Sequence, residues 1–438
     1  MKSQNTDQPE NQQKNSGLNF LSRAMGLFRR SKGDGKEEQT HFRLQFSHLN
    51  ILKTNLQKLP SECFRSIFRH GYPESDKSRS ETIFWNFFLH IHPVKVNRSS
   101  LRFTTTLALG VLSFWLFIIL VVTGILLMFY YVPAIPTAYE RMKDIEFTVT
   151  GGRLIRNIHR WAAHGMVITV LLHMARVFYT GSYKAERKFN WVLGVFLLVM
   201  TLALSFTGYL LPWDQLAFWA VTIGSNIAAS PRELTDALGI TRYFDIGGLL
   251  RQLLLGGNVI GQDALLRFYV LHCALLPVLL VALVAVHFWR VRKDGGLARP
   301  IETLETPGPE VESRPEDATS KTYGLMAIVR GKKPLVGVDP DLGISSWPSL
   351  VIAELVVLLA ALVILFLISL AFDAPLKEIA NPYVPENPAK APWYFLGLQE
   401  MLVYFDPWIA GVMLPTFIIV ESSSDSSRRS SADFFSRG

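Results

Sequence analysis

The chain has 438 residues, 49% hydrophobic and 12% aromatic, and several apolar runs reach the length of about 20 residues that a spanning helix needs. The formal net charge is +8, but the basic residues cluster at the ends of the apolar runs, where they set topology and meet anionic lipid, so nucleic acid is excluded as the partner. Cys63 and Cys273 are the only cysteines and form no CxxC, which excludes a thiolate metal site and attachment of a prosthetic group through paired cysteines.

Residues 1–80 form a polar extension rich in Gln, Asn, Ser and Lys; no apolar run follows the N-terminus, so no cleaved signal is expected and the start is expected in the cytoplasm. Within it, residues 17–30 alternate apolar and basic residues, as a helix on an anionic membrane surface or a solvated tail would. Residues 81–103 mix aromatic and basic residues like an interfacial entry segment, with His90 and His92 read as surface residues. The first span is expected at 104–131, carrying Gly110 and Gly124, fourteen apart. The second, at 157–180, carries His159 and His173 at the same interval, and His164. The third, at 191–211, carries Gly194 and Gly208, again fourteen apart. Residues 212–267 contain the run Pro212–Gln215 (PWDQ) and amphipathic stretches interrupted at the glycine pairs beginning at 247 and 256, so they should lie along the outer surface. The fourth span, at 268–291, carries His272 and His287, fifteen apart. Residues 294–346 read as a polar linker. A fifth span at 349–372 is followed by a Pro-rich loop and an apolar stretch ending at Val420, too short to cross alone. Residues 421–438 read as disordered, so five complete spans and an incomplete sixth are expected, closed by a separate subunit.

Fourteen positions make four helical turns less about 40° and a rise of about 21 Å; fifteen overshoot four turns by about 60°. Two helices thus each offer two histidines at two levels. Imidazole is an axial haem ligand, and ionisable residues inside a membrane are costly enough to indicate function. His164 lies about 140° around from His159 and is read as a packing residue. The glycines share the histidine interval and are read as marking the planes of two haems, since glycine allows a flat ligand to approach. Lys184, Arg187 and Lys188 in one loop, and Arg290, Arg292 and Lys293 after the fourth span, fall on one side, cytoplasmic by the positive-inside rule. The second and fourth spans then run in parallel, pairing His159 with His272 on the outer side and His173 with His287 on the inner side.

The RxxH run Arg156–His159, the intervals of fourteen, GYLLPWDQ at 208–215 and LLRFYVLH entering the fourth span resemble cytochrome b of the quinol-oxidising bc complexes. The fifteen-residue interval is similar to the chloroplast and cyanobacterial branch, and residues 347–420 resemble part of that branch's subunit IV, fused here to the di-haem domain at 81–293. The resemblance implies an all-α membrane bundle holding two b-type, bis-histidine haems. Quinol would be oxidised at the outer side and quinone reduced at the inner side, with a Rieske-type iron–sulfur subunit and a cytochrome c-type or other acceptor as partners in a homodimeric complex. The expected setting is the respiratory chain of a bacterial inner membrane. Arg156 and Arg176 flank the histidines and are expected to meet haem propionates. Pro212, Trp213 and Tyr394 are expected at the outer quinol pocket, and Arg292, Lys293 and Asp294 at the inner quinone site.

The chain departs from the family twice in ways that bear on chemistry. Ala108 stands where that branch attaches an extra haem through cysteine, and Ala391-Pro392-Trp393-Tyr394 stands where the family has PEWY, so Pro392 replaces a proton-accepting glutamate. Glu400, or less favourably Glu386, is the expected substitute. The alternatives weighed are a di-haem anchor of a quinone-reducing dehydrogenase, which would need neither PWDQ nor the subunit-IV-like loop, and a transporter whose histidines relay protons.

Overall fold

The computed structural model describes residues 54–55, 57–63, 72–184, 187–257, 259–294, 343–387 and 390–423. It comprises two units, Met1–Pro73 and Glu74–Gly438. In the first, residues 57–63 are helical. The stretch 17–30, most of the linker and the tail beyond 423 lie outside the described residues.

In the second unit five helices are long and apolar enough to cross a membrane: Leu109–Met128, Gly152–Tyr179, Lys188–Tyr209, Gln262–Lys293 and Ser346–Ala371. They are the first to fifth spans of an all-α, multi-pass membrane protein. Many of their apolar side chains face outward, Val278 and Leu367 among them. Lipid tails are as apolar as leucine, so such exposure carries no penalty in a bilayer. The first span packs along the second, the third against the fourth, and the fifth against the first and second. Leu116, Phe117, Ala162, Met166, Leu280 and Leu365 knit four of the five together at mid-depth. A sixth apolar helix, Trp408–Ser423, is shorter than a spanning helix and runs past Val420, so residues 421–423 continue it.

The span boundaries differ from the sequence reading for local reasons. The first span starts at Leu109 because Leu107 and Ala108 both adopt left-handed backbone (φ 50), separating it from the turn Phe103–Thr106. The fourth span starts six residues before the expected 268 and contains a π-helical turn at Leu271–Leu275. Pro277 has no N–H to offer the carbonyl one turn back, which favours such a widened turn. One residue is absorbed there, so the fifteen-residue interval from His272 to His287 behaves as fourteen, matching the second span.

Between the third and fourth spans the chain forms helices Gln215–Ala229, Pro231–Ala237 and Ile246–Leu255. Gly247 and Gly248 do not break the helix as expected. Asp245 caps them, and Gly247 lies where a Cβ would collide with the carbonyl of Ala229, so the glycine serves close helix crossing. Gly256 (φ 75) does end its helix, its N–H bonding Gln252 O at 2.8 Å. The end of the expected linker is ordered: Gly343–Ser345 pairs antiparallel with Lys95–Asn97.

Candidate haem and quinol site

His159 and His272 face each other across the second and fourth spans, ring centroids 6.3 Å apart and planes at 77°. His272 Nδ1 lies 3.0 Å from the carbonyl of Leu204, which accepts only, so Nδ1 carries the hydrogen. The hydroxyl of Thr123 donates to Ile119 O (2.7 Å) and so accepts from His159 Nδ1 at 2.9 Å. Both imidazoles are thereby held in the tautomer whose Nε2 lone pair is free, the form that binds a metal. Two metal–imidazole bonds of about 2.0 Å each would need ring centroids about 6 Å apart, and the observed 6.3 Å leaves that room. The donor set fits an axially ligated iron.

Toward the other end of the same helices, His173 and His287 line a cavity of about 240 Å³ with Gly110 and Gly194. His287 Nδ1 is buried without a hydrogen-bond partner among the described residues. Three of the four glycines abut imidazoles: a Cβ would lie 3.1 Å from His173 Cε1 at Gly110, 3.3 Å from His159 Cε1 at Gly124, and 2.5 Å from His272 Cε1 at Gly208. They make room for the histidine rings as well as for a flat ligand. Gly194 has no atom within 4 Å of that position and opens onto the cavity.

The arginines need correction. Arg156 is 6% exposed and spends its terminal nitrogens on Glu146 (2.5 Å) and on the carbonyls of Ala374 and Pro375, both 2.8 Å, so it anchors the loop after the fifth span. Arg160, one turn on, was not singled out by the sequence. Its guanidinium lies 4.9 Å from the Tyr209 ring, and its Nε is buried without an acceptor among the described residues. It is the better-placed cation for an anionic group at this level. Arg176 donates to Thr105 O at 3.2 and 3.0 Å, securing the turn before the first span.

The PWDQ run also has a different place. Trp213 is 5% exposed and packs edge-on to Phe218, with Leu210 buried beside it, so it is a core residue. Trp213 O accepts from Ala380, Asp214 from Lys377 N–H (3.0 Å) and Ala217 N–H (2.8 Å), and Gln215 exchanges bonds with Asn381. Burial holds the Asp214 carboxyl above its ordinary range, although the two N–H bonds pull it down. This run is a seam between the third span and the loop after the fifth, and Pro212 sits in it as a turn residue.

At the end of the bundle nearer His159, Tyr394 and Trp393 meet His164, expected from the sequence to be a packing residue. The Trp393 indole N–H donates to His164 Nδ1 at 2.9 Å, and the Tyr394 and His164 ring centroids are 6.1 Å apart. Burial raises the Tyr394 phenol above its ordinary value, so it stays protonated. Glu400 lies on the exposed face of Leu396–Tyr404, and Glu386 pairs with Lys377 at 3.4 Å.

The inner residues are likewise rearranged. Arg292 donates to His90 O, Lys293 lies 5.0 Å from the Trp289 ring, and Asp294 pairs with Arg290 at 2.9 Å. None of the three lines the cavity. Its wall holds His92 and Glu354 instead, 2.9 Å apart. Burial disfavours charge on His92, but the bond and the charge of Glu354 outweigh it and raise its pKa.

Residues 95–295 match the family model for cytochrome b/b6/petB. Cytochrome b6 of Heliomicrobium gestii is 39% identical over 204 residues, 47% of this chain and 88% of that one. Cytochrome b6 of Mesostigma viride is 41% identical over 187 residues, 43% and 81% of the two chains. A solved hyperthermophilic respiratory Complex III chain shares the fold, with a TM-score of 0.59 and 23% identity over 76% of this chain and 77% of that chain. With its membrane bundle and its histidines on two facing helices, the chain belongs to the cytochrome b/b6 family, the electron-transfer subunits of bc- and b6f-type complexes.

Proposed function

We propose that this chain is the di-haem subunit of a respiratory quinol-oxidising complex in a bacterial inner membrane, with its N-terminus cytoplasmic. The observation that carries this reading is the outer histidine pair, 6.3 Å apart with both Nδ1 atoms engaged and both Nε2 atoms free. His159 and His272 would hold the outer haem, and His173 and His287 the inner one. The bound haems supply one-electron transfer between the two faces; the protein holds them, orients them and excludes water. Thr123 and the Leu204 carbonyl fix the ligating rings, and Arg160 is available to an anionic haem substituent. Quinol would bind at the outer end against Tyr394 and Trp393. Quinone would be reduced beside the inner cavity, where His92 and Glu354 can supply protons.

A Rieske-type iron–sulfur subunit and a cytochrome c-type or other acceptor complete the proposed complex, which we take to be homodimeric. In this reading residues 81–293 are the di-haem domain and 347–420 the subunit-IV-like part. The test is a reduced-minus-oxidised spectrum of membranes carrying single variants. His159→Ala and His272→Ala should each abolish one and the same b-type component, and His173→Ala and His287→Ala the other. Loss of the same component in His159→Ala and His287→Ala defeats the pairing, and no b-type band at all defeats the reading.

A further inference from the structure

Oxidising a quinol removes two electrons and two protons, and in an apolar pocket each proton needs a base within hydrogen-bond reach. In the turn that carries Trp393 and Tyr394 the residue before them is Pro392, which has no side chain able to accept one. The carboxylates around this end are engaged or turned away. Glu146 is tied to Arg156, Asp373 to Arg153, Glu386 to Lys377, Asp214 accepts two backbone N–H groups, and Glu400 and Glu378 are exposed.

His164 is differently placed. It lies about 140° around the helix from His159, so it points away from the haem-facing side. Its half-buried ring sits among Trp161, Trp393 and Tyr394, at centroid distances of 5.5 Å from Trp161 and 6.1 Å from Tyr394. The charged and titratable groups facing it are Arg160 from its own helix and Tyr394 from the turn, with Tyr209 of the third span beneath Arg160. Because the indole N–H of Trp393 donates to Nδ1 at 2.9 Å, that nitrogen holds a lone pair aimed out of the helix toward the turn.

We propose that His164 is the base that takes a proton from quinol at the outer pocket, in place of the carboxylate that Pro392 cannot supply. This rests on the outer end being the quinol-oxidation site. A quinol hydroxyl takes the place of the Trp393 N–H at Nδ1; its O–H bond breaks, an N–H bond forms, and the bonding pair stays on oxygen. Of the two electrons, one would go to the iron–sulfur partner and one to a haem that His159 and His272 would hold. The second proton leaves with the partner subunit. The imidazolium then returns its proton to water through Nε2, a step the positive charge of Arg160 favours.

The test is steady-state quinol oxidation by the assembled complex across pH, with the haem spectrum recorded for each variant. In the wild type, kcat/KM should fall on the acid side as His164 becomes protonated. His164→Gln should lower kcat by about 10- to 100-fold, remove the acidic limb and leave both haem bands. His164→Glu should restore part of the rate and change the position of the acidic limb, because a carboxylate titrates differently from an imidazole. An unchanged rate and pH profile in His164→Gln overturns the proposal, as does a wild-type profile with no acidic limb. If His164→Gln loses haem, His164→Glu and the wild-type profile decide the matter. A wild-type complex with both haems that oxidises no quinol overturns the reading of the outer site instead.

Discussion

At the scale of single residues, the His159–His272 pair shows how hydrogen bonds from neighbouring groups choose the chemistry of two imidazoles. Neither His159 nor His272 has a free Nδ1, so each keeps its lone pair on Nε2, and the choice is made by Thr123 and a backbone carbonyl. Space is managed as strictly. A Cβ on Gly208 would sit 2.5 Å from His272 Cε1, closer than real carbon contacts allow, whereas one on Gly397 meets nothing within 4 Å. Gly208→Ala should therefore displace His272 and lose the outer haem band. Gly397→Ala, inside a helix, should keep both bands and raise stability by up to about 1 kcal/mol through helix propensity. Difference spectra and thermal unfolding of the two variants check this, and equal haem content in both would count against a close approach at Gly208.

At the scale of elements, the fourth span carries the one irregularity that its histidine spacing demands. The π turn at Leu271–Leu275 absorbs one residue, so His272 and His287 keep the rotational relation that His159 and His173 have without it. Deleting Ala274 should convert the turn to regular α-helix, restore an interval of fourteen and leave both haem bands in place. Inserting one alanine beside it should rotate the two histidines apart by about 100° and lose one band. Loss of a band on deletion, or retention of both on insertion, would show that the π turn does not set the phase. The third span and the loop after the fifth are joined in a comparable way, by the carbonyl of Trp213 and the side chains of Asp214 and Gln215. That seam explains why an acid and an amide follow a tryptophan there: three consecutive residues satisfy the backbone of an otherwise irregular loop.

At the scale of the whole molecule, the fifth span is fastened at its two ends by ion pairs that respond oppositely to pH. At its C-terminal end the Arg153 and Asn157 hydrogen bonds hold Asp373 below its ordinary value of 3.8, so its contribution is present above that value and lost as pH falls through the lowered one. Toward its N-terminal end His92 is raised above its ordinary 6.5 by Glu354, against the effect of burial. Its contribution is present below 6.5 and lost as pH rises through the raised value. The Tm difference between wild type and Asp373→Asn should therefore hold from neutral pH down to about 5 and shrink below about 4. The difference for Glu354→Gln should shrink as pH rises above about 6.5. The Asp373 pair is exposed and should also weaken with salt. Differences that move the opposite way with pH would mean that these groups do not carry the fastening.

The sequence by itself determined the five spans and the spacing of the two histidine pairs, because apolar run length and helical period are local properties. It also placed Pro392, whose side chain accepts no proton, directly before Trp393 and Tyr394. Only the tertiary structure decided what each polar side chain does. Arg156 is taken by carbonyls more than 200 residues away, Trp213 is buried under a loop helix, and Glu400 turns outward. His164 meets Trp393 from a segment 229 residues on. The physical reason is that a buried donor or acceptor must find a partner, and which partner it finds depends on which distant backbone the fold delivers beside it.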